Sequence, residues 1–144
     1  MGAATRNFAA KLYAQGIGKG DKVMFWSENR PEWVAAFWGC VVASVIVVPI
    51  DYRASADFLQ RVQGKVSARA ILIGDEVRLP AWEKQPAVWR LSELDWTSTS
   101  VASRPVPLQP NDIAEIVLNC SSLVASVCTN SSKPATSFIF RNVT

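Results

Sequence analysis

Residues 31–50, PEWVAAFWGCVVASVIVVPI, constrain the fold more than any other stretch of this chain. From Val34 to Pro49 there is no charged side chain, and Ser44 carries the one hydroxyl. As a single element the stretch is a short membrane span. As two, it is a buried helix over 31–43, a turn, and a strand over 45–48. Residue types change where the second reading needs them to. The first half is rich in alanine and bulky rings, whereas Val45-Ile46-Val47-Val48 is β-branched and suits extended backbone. Helix-start chemistry precedes it: Asn29 can cap free amides, Pro31 fits a first turn, and Glu32 follows Asn29 by three as in a capping box. A spanning helix needs about 20 apolar residues, within a range of roughly 17–25. The run from Val34 to Ile50 reaches only the lower edge of that range, and Pro49 with Asp51 closes it. Strands covered on both faces read as unbroken apolar runs. The two-element, soluble reading is preferred, and association with a membrane through 34–50 stays open as its alternative.

The rest of the composition narrows the function classes. With 49% hydrophobic and 19% charged residues, the 144-residue chain falls among globular proteins and is long enough for one domain. Its net charge is +3 with no block of like charge, so nothing calls for nucleic acid. There is no histidine, which removes the commonest general base and the commonest zinc ligand. Cys40, Cys120 and Cys128 show no C-x-x-C spacing, and no metal site is expected. Cys40 reads as a small core hydrophobe. The opening residues MGAATRNFAAKLYAQ lack the apolar core of a secretory signal, and Arg6 breaks the myristoylation pattern. A cytoplasmic location is the default expectation.

Along the chain, residues 3–15 have helical spacing, with Phe8, Ala9 and Leu12 on one face. Gly16-Ile17-Gly18-Lys19-Gly20 follows a helix and precedes a strand, the reverse of a dinucleotide-binding loop, so it reads as a turn. A strand over 23–26, the helix over 31–43 and the strand over 45–48 make a crossover unit with two parallel strands. A helix over 54–66, with Phe58, Leu59 and Val62 inward, and a strand over 70–73 repeat the pattern. A further short strand is expected near 87–91. Residues 97–110, broken by Pro105, Pro107 and Pro110, read as a surface linker, and 113–118 as another strand. Beyond it, 119–144 is rich in Ser and Thr and has no sustained period. Its three Asn-x-Ser/Thr triplets, at Asn119, Asn130 and Asn142, read as accidents of that content.

Several of these pieces, taken in order, resemble the beginning of an AMP-forming acyl-CoA synthetase, an adenylate-forming ligase. They are the leading helix, GIGKGDKVMFWSENRPEWVAAFWGCVVASVIVVPIDYRAS over 16–55, the helix and Ala70-Ile71-Leu72-Ile73 after it, and Asn111-Asp112-Ile113-Ala114-Glu115-Ile116-Val117. The resemblance covers about four-fifths of this chain and only the opening part of a family member. It implies the start of an N-terminal AMP-binding domain: an α/β fold with an open, mostly parallel sheet and flanking helices, incomplete. It also implies a parent activity, in which a carboxylic or fatty acid and ATP give an acyl adenylate and pyrophosphate, and the acyl group then passes to coenzyme A. ATP, Mg2+ and CoA are the parent cofactors.

The resemblance stops at Leu118. There the family continues roughly Phe-Thr-Ser-Gly-Thr-Thr-Gly-x-Pro-Lys-Gly, whose glycines let backbone amides approach phosphate while the lysine supplies charge. Here Leu118-Asn119-Cys120-Ser121-Ser122-Leu123-Val124-Ala125-Ser126-Val127-Cys128 has neither glycine nor lysine, and Lys133 precedes Pro134 with no Gly-rich loop before it. The abruptness suggests a change of reading frame or exon near Leu118. Ser44 is a smaller departure, since the family usually has glycine there.

The expected organisation is a partial AMP-binding-type domain over 1–118 and a divergent, loosely ordered tail over 119–144. No catalytic, nucleotide-binding or metal-binding residue is assigned, because the loop expected after Leu118 is missing. No cofactor is expected for this chain itself, and catalysis by it alone is not expected. Asp75-Glu76 and Asp51 beside Arg53 read as solvated charges. Of the six tryptophans (26, 33, 38, 82, 89 and 96), Trp33 and Trp38 read as core. A different class also fits: a non-enzymatic interaction module. Its sheet edges, left without further strands, would favour self-association.

Overall fold

The computed structural model describes residues 2–97, 107–110, 112–118, 125–129 and 140–143. Helix α1 spans Gly2–Ala14, strand β1 Lys22–Trp26, helix α2 Pro31–Val42, strand β2 Ile46–Ile50, helix α3 Ala56–Val66 and strand β3 Ala70–Ile73. Strand β4, Ala87–Arg90, runs into a 3-10 turn at Leu91–Glu93, and β5 spans Ile113–Leu118. One sheet takes the order β4-β3-β1-β2-β5-β6-β7, where β6 is Ala125–Thr129 and β7 is Phe140–Val143. The first five strands are mutually parallel, and β6 and β7 add antiparallel to β5. The fold is the expected open, mostly parallel α/β sheet.

Strand alternation explains the unbroken apolar runs. Val23, Phe25, Val47, Ala70 and Leu72 face α1 and α2, with Phe8, Leu12, Ala36 and Cys40 in the same cluster. Met24, Trp26, Val48, Ile50, Ile71 and Ile73 face the other way, onto Leu59, Val62 and Val66 of α3. Both faces of β3-β1-β2 are therefore dry, and each fully buried side chain contributes roughly 1.5–3 kcal/mol of burial. Because parallel crossovers are right-handed, placing α2 and α3 on opposite faces sends the chain in opposite directions. Thus β2 lies on one side of β1, and β3 on the other.

Local chemistry sets the ends of the helices. Helix α1 closes on Gly16 (φ 68), with Gly16 N donating to Tyr13 O and Ile17 N to Leu12 O. Helix α2 closes the same way on Ser44: its N donates to Val41 O, and Val45 N donates to Cys40 O. Ser44 takes φ 55, the left-handed conformation for which glycine is suited, and its buried hydroxyl has no partner among the described residues. Gly20, also left-handed, donates its N–H to Ser44 O, so the glycine turn docks on this helix end. Ser55 caps α3 by accepting from Phe58 N at 3.2 Å.

Two expectations need correction. The residue capping α2 is Arg30, in extended backbone and without a side-chain cap bond, and not Asn29. The register is one residue later than the capping box requires, and Glu32 accepts from Arg30 Nε at 3.3 Å instead. Trp38 is not core: it is 50% exposed. Of the 119–144 tail, 125–129 and 140–143 are paired strands, and the rest lies outside the described residues. No helix among the described residues is long and apolar enough to cross a membrane. At 12 residues, α2 is about 18 Å long.

Candidate functional site

In an open parallel sheet, ligands sit beyond the carboxyl ends of the strands, where neighbouring connections leave for opposite faces. Here that place lies between β1 and β2. It holds a cavity of about 390 Å³ whose wall includes Ser27, Asn29, Trp33, Asp51, Tyr52 and Arg53. Trp33 forms an aromatic side wall, held edge-on to Phe25 at 5.4 Å and stacked on Phe37 at 5.7 Å. The opposite lip is a turn in which Asp51 Oδ1 accepts from Arg53 N at 2.9 Å. Arg53 Nε lies 3.5 Å from the same oxygen, and its guanidinium stands over the Tyr52 ring. Asp51 and Arg53 are 61% and 76% exposed, which matches their reading as solvated charges.

A second polar group sits at the ends of β1, β3 and β4. Arg30 is ion-paired to Asp75, Glu28 and Glu32. Ser92 Oγ donates to Asp75 Oδ1 at 2.6 Å, Asp75 N donates to Glu28 Oε1 at 3.2 Å, and Arg90 Nη1 donates to Gly74 O at 3.1 Å. The Ser92 hydroxyl, then Arg30, hold the Asp75 carboxyl below its ordinary range. Burial pushes Glu28 upward, but the amides of its own loop and of Asp75, with Arg30, outweigh that and lower it. The hydrogen bond to Asp75 is the main reason Arg30 is held more firmly protonated than usual. A carboxylate held charged and already hydrogen-bonded is a poor general base. The Asp75 cluster therefore ties three strand ends together and is not an acid–base pair.

Strand β5 runs parallel to β2, with Val47 opposite Glu115, so it delivers the chain after Leu118 to the same sheet edge as the cavity. Residues 119–124, where the family's phosphate loop is expected, lie outside the described residues. Among the cavity-lining residues Arg53 is the one cation, and Asp51 partners it. That set does not fit a triphosphate, which needs converging amides and uncompensated positive charge. No group of three or more His, Cys, Asp or Glu able to hold a metal occurs among the described residues. The sequence gave no direct sign of the cavity. The usable signal was two short polar runs, 27–30 and 51–53, each following an apolar strand.

Comparison with known proteins agrees with this architecture. A family profile described as AMP-binding enzyme matches residues 1–118. The L-proline–[L-prolyl-carrier protein] ligase of Pseudomonas fluorescens is 26% identical over 127 residues, covering 81% of this chain and 26% of the relative. A 3-hydroxybenzoate–CoA/4-hydroxybenzoate–CoA ligase of Thauera aromatica is 38% identical over 64 residues, covering 44% of this chain and 12% of that enzyme. Among solved structures, the fatty acyl-adenylate ligase of L. pneumophila superimposes with a TM-score of 0.77 at 24% identity, over 89% of this chain and 24% of that one. At that identity the likeness shows the fold. This chain spans about a quarter of the length of the proline ligase.

Proposed function

This chain belongs to the AMP-binding enzyme family, ATP-dependent adenylate-forming ligases, and from that premise we propose that residues 1–144 supply the opening scaffold of such a ligase without activating an acid by themselves. The parent reaction joins a carboxylic acid to ATP, releases pyrophosphate, and passes the acyl group to a thiol. The relatives' names carry CoA or a carrier protein as that acceptor. The observation that carries the proposal is the sequence from Leu118 to Cys128, which places no glycine and no lysine where triphosphate must be held. The charge-balanced cavity between β1 and β2 supports it. So does the state of the carboxylates at the strand ends, which are engaged in ion pairs. No cofactor is assigned to these residues alone. Cytoplasmic residence belongs to the same proposal and is supported by Cys40, a free, buried thiol whose pKa burial pushes up.

Two measurements test it. Equilibrium binding of ATP with magnesium to the purified chain is expected to be undetectable up to millimolar nucleotide. Pyrophosphate release that depends on an added fatty or aromatic acid would overturn the proposal. A change of reading frame near Leu118 accounts for the abrupt departure. The other two frames beyond the codon for Val117 are expected to encode a Gly-rich loop with Pro-Lys-Gly in one of them, and its absence from both removes that explanation.

A further inference from the structure

Strand β5 has a side that the described helices do not cover. Ile116 packs into the α3-side cluster, and no described residue of β5 belongs to the α1/α2-side cluster. Alternation then turns Glu115 to the α2 side, beside Val47. Val41 of α2 and Ile113 line one small cleft together with Leu108, which sets the foot of α2 against the start of β5. From that level, Glu115 lies about 7 Å up the strand and Trp38 about 4.5 Å up the helix, with Val34 one turn further. Val34, Trp38 and Val41 share a helix side by their spacing. Val34, Trp38 and Leu108 are 37%, 50% and 44% exposed, the most exposed large apolar side chains here apart from Tyr52.

A half-buried carboxylate thus stands in the floor of an apolar strip. No hydrogen bond or ion pair joins it to any described residue, and desolvation raises its pKa. The two features ask for different things from whatever covers them: the rim needs apolar cover, and the floor needs a cation. A second copy placed about a twofold axis would bring its own Glu115 toward the first, like charge against like. An anionic lipid surface meets the same objection. We infer that this strip docks an amphipathic helix bearing one arginine or lysine within its apolar stripe, supplied by the chain that continues past the matched segment in AMP-binding enzymes. The solved ligase has this scaffold inside a much longer chain, of which the match covers 24%. The inference rests on family membership and is separate from the proposal that residues 1–144 do not activate acids.

The test uses the full 144-residue protein and two helical peptides of about 18 residues, long enough for five turns. Both carry a leucine stripe, interrupted once by arginine in the first and by glutamate in the second. Calorimetry is expected to show the arginine peptide binding at least about tenfold more tightly, since one well-placed charge pair exceeds 1.4 kcal/mol. Trp38→Asp is expected to abolish binding of both, and Glu115→Arg to reverse the preference. Should Glu115→Arg fail to fold by circular dichroism, Glu115→Gln is expected to bring the two peptides to parity. Equal affinities for the native chain, no binding of the arginine peptide, or a preference unchanged by substitution at Glu115 would each overturn the inference. Self-association that Trp38→Asp abolishes, seen by sedimentation without peptide binding, would assign the strip to a second copy and overturn it as well.

Discussion

The sheet has two unlike halves. In β3-β1-β2 each strand is covered on both faces, by α1 and α2 on one side and α3 on the other. In β5 the described residues from Asp112 to Ile116 are all half-buried, and on the α2 side the strand carries a carboxylate. The difference follows from chain order. Crossover helices α2 and α3 are spent on the strands they join, and β5 arrives after a long connection with no described helix of its own to lay over it. Covering a parallel sheet takes as many helices as crossovers supply, so the last strand to join is the one left waiting.

The largest expected effect tests that asymmetry directly. Phe25→Ala removes a ring that is 0% exposed and is expected to cost about 3–5 kcal/mol in urea unfolding. Ile116→Ala, on the less covered strand, is expected to cost less than half as much. Equal losses would mean that β5 is as well packed as β1, and the comparison would fail. Next is Gly39→Ala, where α2 crosses α1. An added Cβ there would lie 2.8 Å from Phe8 Cδ1 and 3.0 Å from the Thr5 carbonyl. A ring edge can tilt, but a helix carbonyl moves only with its helix, so a loss of roughly 1–3 kcal/mol is expected. Thermal melts of the native chain and the variant measure it.

How much of this was legible depended on whether the deciding contacts were local. The elements between residues 16 and 73 could be read because β-branched runs, glycine stops and helical spacing are each written within a few residues. Strand β3 spans 70–73, as its sequence indicates. The cap of α2 was misplaced because Asn29 and Arg30 differ by one residue in register, and what draws Arg30 into place is Asp75, 45 positions away. Trp38 defeated the reading for another reason. Helix α2 is apolar nearly all round, so its sequence carries no sign of which face lacks a neighbour. The same limit hid the cavity between β1 and β2, whose walls come from loops more than twenty residues apart. Gly74 shows what local reading does retain. It marks the end of β3, while the contact that forbids a side chain there, a Cβ placed 2.0 Å from Glu28 Oε2, is long-range.

A smaller effect is expected at the joint between the halves. Ser44 ends α2 in a left-handed conformation with an unpaired buried hydroxyl, and it lines the clefts toward both Lys19 and Leu108. Glycine would relieve both penalties. Ser44→Gly is therefore expected to stabilise the chain by about 1 kcal/mol, read as a higher urea midpoint with an unchanged slope. A loss instead would mean that the hydroxyl is satisfied, for example by a buried water, and that the unfolded-state entropy of glycine dominates.

The smallest effect separates the halves by pH. Desolvation raises the Glu115 pKa in the folded chain. Its ionisation therefore opposes folding: there is no penalty below its unfolded pKa, and the full penalty is present above its folded pKa. Asp75 and Asp112 have the opposite sign. Asp75 is lowered by Ser92 and Arg30, and Asp112 by Lys19 Nζ at 2.8 Å. Each contributes stability above its unfolded pKa that is lost as pH falls through its folded one. Glu115→Gln is accordingly expected to raise stability slightly at neutral pH and to leave it unchanged well below pH ~4, near the ordinary glutamate value. Asp112→Asn is expected to lower it at neutral pH and to do nothing in acid. If Glu115→Gln destabilised the chain at neutral pH, the carboxylate would already be paired, and the α2 side of β5 would be closed like the rest of the sheet.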